Sequence, residues 1–450
     1  MDALWLSRIQ FAMTVGFHFL FPPITIGLAW LLVYVEWRAW KSADVAWQAA
    51  GLFFGRLLAL TFAIGVAAGI VMEFQFGTNW ATYSRFVGDI FGAPLAAEGV
   101  FAFFLESGFL GLYLFGRNRV SRGLHWFAIL MVAIGSTLSA FWILVANSWQ
   151  QTPAGFVLNE ATGRAELTDF AAAVFNPSTM PRFWHTLAAS VVTGSFFMAG
   201  VSALLLLRKI GREVAARTLK VGLAAGLVSA IAMLFPTGHE HGRQVASTQP
   251  EKFAALEGVY ESYPEGGVPM VLFALVQTSP PYLQSKVEIP GLLSLLSVGD
   301  LNAPVRGLKE FPPDRVPQGA ELWLSFVSFH NMILLGVLFI AVMVLAGWFW
   351  WRGTLMDRRW FLWVLVIVSP LPLAACEFGW VAAEVGRQPW IVYGLLRTAD
   401  AASKTVSAAE VLASIILFGL IYLALGALWV FLMWKKIVAG PEASHASEVA

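Results

Sequence analysis

Nine long apolar stretches constrain the fold of this chain more than any other feature. An α-helix needs roughly 20 apolar residues to cross the hydrocarbon core of a bilayer. Backbone groups cannot stay unpaired in lipid, so each stretch is predicted to be a helix. The stretches lie near 10–35, 52–75, 94–117, 123–148, 180–207, 217–236, 321–349, 359–379 and 409–434. The sequence therefore predicts an all-α integral membrane protein with about nine transmembrane helices.

Composition agrees with a membrane location. Charged residues make up 13% of the 450 residues, far fewer than a soluble domain of this size needs to cover its surface. The net charge of +1 argues against a strongly basic or acidic partner, nucleic acid included. The single cysteine, Cys376, excludes an intrachain disulfide and a cysteine-based metal site. The first residues lack the basic region and cleavage site of a secretory signal, so we expect them to be retained.

Basic residues are concentrated in the odd-numbered connections between the stretches. These residues are Arg38, Lys41, Arg117, Arg119, Arg122, Arg208, Lys209, Arg212, Arg217, Lys220, Arg352, Arg358 and Arg359. The positive-inside rule then predicts that these connections and the C-terminus are cytoplasmic and that the N-terminus is outside. The predicted organisation is helices one to six in 1–236, a large outer loop in 237–320, and helices seven to nine with a cytoplasmic tail in 321–450.

The predicted outer loop is long, polar and rich in proline and glycine. Loops of this length are usually functional or disordered. Its segment QPEKFAALEGVY (249–260) is typical of a short amphipathic helix, which either lies on the lipid surface or covers a site for an amphipathic substrate. The His239-Glu240-His241 triplet could suggest a metal site, although this spacing alone is weak evidence.

Three histidines fall inside the predicted spans, where an ionisable group costs several kcal/mol. One such histidine is often explained by a hydrogen bond between helices. His185 and Met332, however, lie near the outer ends of helices five and seven, and together could bind one haem iron from both sides. His18 precedes Pro22 and Pro23, which are expected to kink the helix and make room for a bulky ligand, or to form a hinge unrelated to any cofactor.

Carboxylates inside the spans give the stronger signal. Glu98 and Glu106 lie two turns apart on helix three, with an angular offset of about 80° and roughly 12 Å between them along the axis. Two acids stacked in depth favour a proton relay over structural ion pairs, because these apolar helices offer few basic partners. Glu384 follows helix eight and could ligate a high-spin iron, while Arg387 could neutralise it or bind a haem propionate.

Seven motifs, in order along nearly the whole chain, resemble subunit I of the cytochrome bd-type quinol oxidases, in particular its branch with a short outer loop and frequent insensitivity to cyanide. The motifs are LSRIQF (6–11), GFHFLFPPITIG (16–27), PLAAEG with FFLES (94–107), AFWILVANSWQQTP (140–153), WHT (184–186), QPEKFAALEG (249–258) and GWVAAEVGRQPW (379–390).

The resemblance implies three haems. His185 and Met332 would be the axial ligands of a low-spin haem b. His18 and Glu384 would ligate the two haems of the oxygen-reducing centre, a high-spin haem b and a haem d or third haem b. Arg8, Trp380 and Arg387 would support this haem cluster by charge and packing.

The resemblance also implies a path for electrons and protons. Lys252 and Glu257 match residues of the outer loop that are associated with quinol oxidation. Glu98 would lie beside the oxygen-reducing centre, and Glu106 would belong to a cytoplasmic proton path with Ser139 as a neighbour. Oxidation of quinol outside and uptake of protons inside would generate a proton motive force without pumping. The implied setting is the bacterial inner membrane, with a second membrane subunit and possibly a small single-span subunit.

One position departs from the family pattern. The family usually has FRxM before the ligand methionine, whereas this chain has His330 at the arginine position. A titratable group beside the low-spin haem predicts a potential that is lower or more dependent on pH.

Two other functions stay open on the residues alone. An ion transporter would need no haem and would have an internal repeat, which we do not find. A quinol dehydrogenase that reduces another protein would need only the haem of His185 and Met332.

Overall fold

The computed structural model describes residues 2–277 and 283–449. Within these ranges nine helical segments are long and apolar enough to cross a membrane, which confirms the predicted multi-pass helical fold. The spans, numbered one to nine, are Ala3–Ser42, Val45–Thr78, Ala81–Phe115, Arg122–Gln151, Thr179–Arg208, Arg212–Thr248, Ala320–Trp351, Arg359–Val385 and Ala408–Pro441.

Four spans are interrupted, and each interruption has a proline at or near it. A proline lacks the backbone N–H and its ring clashes with the preceding turn, so helices bend or break there. Span one divides into α1 (Ala3–Phe19) and α2 (Pro22–Ser42), as predicted from the proline pair.

The other interrupted spans are the third, sixth and eighth. Span three consists of α4, a π-helical turn and α5 (Ala81–Ala97, Glu98–Phe103 and Phe104–Phe115). Span six consists of α9, a π-helical turn and α10 (Arg212–Ala232, Met233–Gly238 and His239–Thr248), and span eight of α14 and α15 (Arg359–Val368 and Leu371–Val385).

The remaining spans are single helices, and short elements connect the bundle. The single helices are α3 (Val45–Thr78), α6 (Arg122–Gln151), α8 (Thr179–Arg208), α13 (Ala320–Trp351) and α17 (Ala408–Val449, with a bend at Gly440). The short elements are β1 (Phe156–Asn159), β2 (Arg164–Leu167), α7 (Phe170–Val174), α11 (Pro250–Glu257), β3 (Met270–Val276), β4 (Leu283–Ile289), α12 (Leu292–Val298), β5 (Trp390–Val392), β6 (Leu396–Arg397) and α16 (Thr398–Ala401), with 3₁₀ turns at Leu308–Glu310, Pro313–Arg315 and Leu355–Asp357. The strands form three antiparallel pairs, β1 with β2, β3 with β4 and β5 with β6.

The helix α8 lies at the centre of the bundle and packs against α2 and α9. A Cβ on Gly194 would lie 2.4 Å from the backbone of Gly27 and 2.5 Å from that of Leu28, which is a severe clash. The helices α2 and α8 therefore approach more closely than a side chain at this position would allow. Close helix approach through small residues is the usual way that membrane helices gain packing energy.

Residues 249–277 and 283–319 cover one face of the bundle, which we call the loop face. The amphipathic helix predicted at 249–260 is α11, and its residues from Lys252 to Glu257 are all buried. Its apolar residues Phe253 and Leu256 join Val245 and Leu293 in a separate apolar core over α13. Because α11 is buried within the loop, it does not lie on a lipid surface. It covers the interior of the bundle at the loop face.

Candidate active site

A cavity of about 1,650 Å³ lies inside the bundle and extends to the loop face. Single ligand pockets usually measure ~300–1,000 Å³, so this one has room for more than one large cofactor. All eleven site residues predicted from the sequence line it: Arg8, His18, Glu98, Glu106, His185, Lys252, Glu257, Met332, Trp380, Glu384 and Arg387. Residues separated by more than 300 positions are therefore brought to one space.

The two cavity histidines of spans one and five are held in the same way. Nδ1 of His18 lies 3.1 Å from the carbonyl oxygen of Gly65, and Nδ1 of His185 lies 3.2 Å from that of Met233, in the π-helical turn of span six. A histidine that ligates a metal almost always donates its other ring N–H to such an acceptor. Both rings therefore keep Nε2 as the nitrogen that is available to an iron.

A glycine lies against each of three candidate ligands. A Cβ on Gly69 would lie 3.0 Å from Cε1 of His18, one on Gly238 would lie 3.4 Å from Cε1 of His185, and one on Gly379 would lie 3.0 Å from Sδ of Met332. Imidazole and thioether are the donors that low-spin haem iron takes. The donor set and the space in front of it fit haem.

Glu384 is buried in a network of polar side chains. Its carboxylate accepts hydrogen bonds from Arg387 (2.5 Å) and from Asn147 (3.0 Å), and Arg182 donates in turn to Asn147. A buried carboxylate is stable only when it is paired and hydrogen-bonded. Sequence reasoning proposed Arg387 as the partner of Glu384 but missed Arg182 and Asn147, although Asn147 lies in the AFWILVANSWQQTP motif.

Glu98 and Glu106 both line the cavity, but the helix between them is not a regular α-helix. The π-helical turn begins at Glu98 itself, so the offset of about 80° that was calculated for a regular helix does not apply. Ser139 donates a hydrogen bond of 2.7 Å to Glu98 rather than to Glu106. Glu106 lies deeper, 5% exposed, and packs against Gly135. Isolated π-helical turns are frequent at functional sites.

Lys252 and Glu257 occupy different parts of the cavity. The ammonium group of Lys252 donates to Oε1 of Gln151 (2.8 Å) and to the carbonyl oxygen of Ala383 (2.9 Å), so it points towards the Glu384 network. Burial, and next to it the positive charge of Arg182, lower the pKa of Lys252 well below its ordinary value.

Glu257 faces an apolar compartment. It is 5% exposed, burial raises its pKa to about 8, and its Oε2 has no hydrogen-bond partner among the described residues. We call this compartment the loop chamber, and its lining includes Phe253, Glu257, Met270, Leu272, Leu293 and Phe329. Glu257 therefore places a carboxyl group with an unpaired oxygen among apolar side chains.

Arg8 and Trp380 lie where helix α1 meets α13 and α15. Arg8 forms an ion pair of 2.6 Å with Glu321 and stacks over Trp5, so its charge is already compensated by a carboxylate. The ring of Trp380 packs near Phe11, with 6.5 Å between the centroids.

Two further carboxylates inside the spans were missed by sequence reasoning. Glu73 lines the cavity, and Glu377 has an oxygen, Oε1, without a partner among the described residues. The signal that identified Glu98, an acid within an apolar helix, applies to both of them. Glu73 is therefore a further candidate for proton handling in this site, whereas Glu377 is not among the residues that line the cavity.

The His239-Glu240-His241 triplet lies on helix α10, not in a loop. Both of its histidines line the cavity, and the ring of His241 lies 5.6 Å from that of His185. Over residues 2–277 and 283–449, no group of three or more His, Cys, Asp or Glu side chains is placed to hold a metal ion.

The family model described as cytochrome bd terminal oxidase subunit I matches residues 6–441. This chain belongs to that family. It is 38% identical over 460 residues to cytochrome bd ubiquinol oxidase subunit 1 of Bacillus subtilis (strain 168), covering 100% of this chain and 96% of the relative. It is 36% identical over 509 residues to cytochrome bd-II ubiquinol oxidase subunit 1 of Escherichia coli (strain K12), covering 99% and 98%.

The fold of this chain is also similar to that of a bd oxidase of known structure. A solved structure of bd oxidase from Geobacillus thermodenitrificans superposes with a TM-score of 0.88 at 30% identity, covering 97% of this chain and 98% of the other. The family identifies the chain as a multi-pass membrane subunit of a quinol oxidase, which carries haem and forms a complex with a subunit II. The resemblance found in the sequence is confirmed.

Proposed function

We propose that this subunit oxidises quinol in the loop chamber and reduces O₂ to water deeper in the bundle, with the loop face on the outer side of the bacterial cytoplasmic membrane. One observation carries the proposal: a single cavity reaches from Glu257 in the loop to Glu106 in span three. Electrons from the chamber and protons from the opposite face can therefore meet in one continuous cavity.

In this proposal His185 and Met332 hold a low-spin haem b. His18 and Glu384 hold the two haems of the oxygen-reducing centre, a high-spin haem b and either a haem d or a third haem b. The anchored Nδ1 atoms of the two histidines and the glycines facing His18 and Met332 support this assignment. When bound, haem iron supplies one-electron transfer and O₂ chemistry.

Glu257 is the proposed acceptor of a quinol proton. Its high pKa, which burial causes, makes it a better base than an exposed carboxylate once it is ionised. Lys252 has a different role, since it donates to Gln151 and to the carbonyl oxygen of Ala383 and so fixes α11 next to the Glu384 network. Arg8, Trp380 and Arg387 complete the wall around the haem region, and Arg387 compensates the charge of Glu384.

Protons for water formation are proposed to reach the oxygen-reducing centre through Glu106 and then Glu98, with Ser139 orienting the second carboxylate. They would come from the cytoplasm, because the basic connections lie opposite the loop face. Release of quinol protons outside and uptake inside would build a proton motive force without a pump. Besides subunit II, a small single-span subunit is a further proposed partner.

The proposal is tested on the purified complex by a dithionite-reduced minus air-oxidised spectrum with quantitation of haem per chain. We expect about three haems, with a far-red chlorin band if one is haem d. Met332→Leu should remove the low-spin signal and leave the high-spin haems, whereas Met343→Leu, in the packed core of α13, should leave all three. One haem in the wild-type complex would instead indicate a dehydrogenase, and none would indicate a transporter.

A further inference from the structure

His330 occupies the position where the family pattern usually has an arginine, and its surroundings differ from those expected of a charge beside haem. Its Nε2 lies 2.9 Å from the carbonyl oxygen of Val271, and its Nδ1 lies 3.0 Å from that of Phe326. The ring stacks on Phe326 with 3.8 Å between centroids and is 7% exposed. His330 thus joins span seven to the hairpin of β3 and β4.

The two contacts are not equivalent. In a regular helix the Phe326 carbonyl already accepts the backbone N–H of residue 330. A neutral imidazole carries one N–H, and donating it to Val271 adds a hydrogen bond between span seven and β3. His330 also lies two residues, about 200° of helix rotation, from Met332, so the two side chains leave α13 on opposite sides.

Val271 lies between two residues of the chamber wall. The pairing of β3 with β4 is irregular here, with a register shift between Val271 and Phe273, so the wall depends on contacts other than a regular ladder. Met270 and Leu272 line the cavity, and Val271 is 5% exposed. The bond from His330 therefore fixes the strand at the one residue that separates the two wall residues.

We propose that His330 is a positioning residue for quinol: it holds β3 against span seven and so fixes the wall of the loop chamber, rather than setting the potential of the low-spin haem. This inference rests on the proposed function, in which the loop chamber takes the quinol head group. The arrangement makes the fit of the quinol depend on a side chain that never touches it.

The test uses three variants of the purified complex. His330→Phe keeps an aromatic ring on Phe326 and removes the hydrogen bond to Val271, and His330→Gln restores a donor. Ser325→Ala is the control, because it removes a partly buried hydrogen bond of 2.7 Å that stays within α13. The measurements are KM and kcat for quinol, the Kd of a non-oxidisable quinol analogue, the midpoint potential of the low-spin haem, and hydrogen exchange of residues 270–276.

In His330→Phe we expect KM and Kd to rise about fivefold, the factor that corresponds to the ~1 kcal/mol of one buried hydrogen bond. Hydrogen exchange in β3 should accelerate, while kcat and the potential stay at wild-type values. His330→Gln should recover part of the loss, and Ser325→Ala should show none.

Unchanged Kd and unchanged exchange in His330→Phe would overturn the inference, and so would a shifted potential with unchanged Kd. Exchange can be read even if the variant complex is inactive, so loss of activity does not hide the result. A wild-type complex that binds no quinol analogue would refute the proposed function itself, which is a separate outcome.

Discussion

Gly379 opens the motif GWVAAEVGRQPW and faces the sulfur of Met332 across the interface of α15 and α13. A Cβ at this position would lie 3.0 Å from Sδ of Met332 and 4.0 Å from its Cγ. The clash would fall on the atom that is proposed to ligate the low-spin haem. Gly379→Ala is therefore a small change that tests the ligand assignment without removing the ligand.

The magnitude follows from the contact distance. Non-bonded heavy atoms prefer about 3.5–4.0 Å, so the sulfur must retreat by roughly 0.5–1 Å. The methionine chain is flexible and can make this movement at little cost to folding. If the retreat weakens the preference of the thioether for reduced iron tenfold, the midpoint potential of the low-spin haem falls by about 59 mV.

The assay is a spectroscopic redox titration of the purified complex, with haem content measured in parallel. Gly347→Ala is the matched control, since it lies in α13 and its new Cβ would meet nothing within 4 Å. We expect a lowered potential, or partial loss of the low-spin spectrum, in Gly379→Ala only. A wild-type spectrum and potential in Gly379→Ala would refute the claim that Met332 is the ligand in the arrangement described here.

Three further predictions address other parts of the molecule. The kcat/KM for quinol should rise as pH increases through about 8, because the buried Glu257 must lose its proton before it can accept one. Glu257→Gln should be slower, with a kcat/KM that does not change with pH. The same rise with pH in the variant would contradict this role. Arg117→Leu should destabilise the fold by ~3–5 kcal/mol, because it removes the ion pair of 2.5 Å with the buried Glu36. The loss should be seen as a lower thermal midpoint in detergent, and an unchanged midpoint would count against this ion pair. Ser139→Ala should slow reoxidation of the haems by O₂ several-fold, because it removes the hydrogen bond to Glu98. The affinity for a quinol analogue should stay unchanged. A wild-type rate of reoxidation would exclude Ser139 from the proton path.

Much of the fold could be predicted from the sequence because the bilayer restricts the choices. Long apolar stretches and the Pro22–Pro23 pair were enough to predict nine spans and the break in the first one. The π-helical turns could not be predicted, since they depend on local packing that leaves little trace in hydrophobic periodicity. One of them begins at Glu98 and the other ends at Gly238, next to His185, so the irregular turns lie where the site is built.

The site could be predicted as a set of residues but not as a set of contacts. Intramembrane acids and histidines stand out because burying an ionisable group costs free energy, and this cost can be recognised from a single residue in an apolar stretch. The hydrogen-bond partners of such a residue depend on how the helices assemble. Nothing near Lys252 in the sequence indicates that its ammonium group reaches Gln151, about a hundred residues away. His330 illustrates the difference. Its position in the family pattern points to the haem, whereas its hydrogen bond to the Val271 carbonyl connects it to the loop, so its role depends on the direction in which the helix presents it.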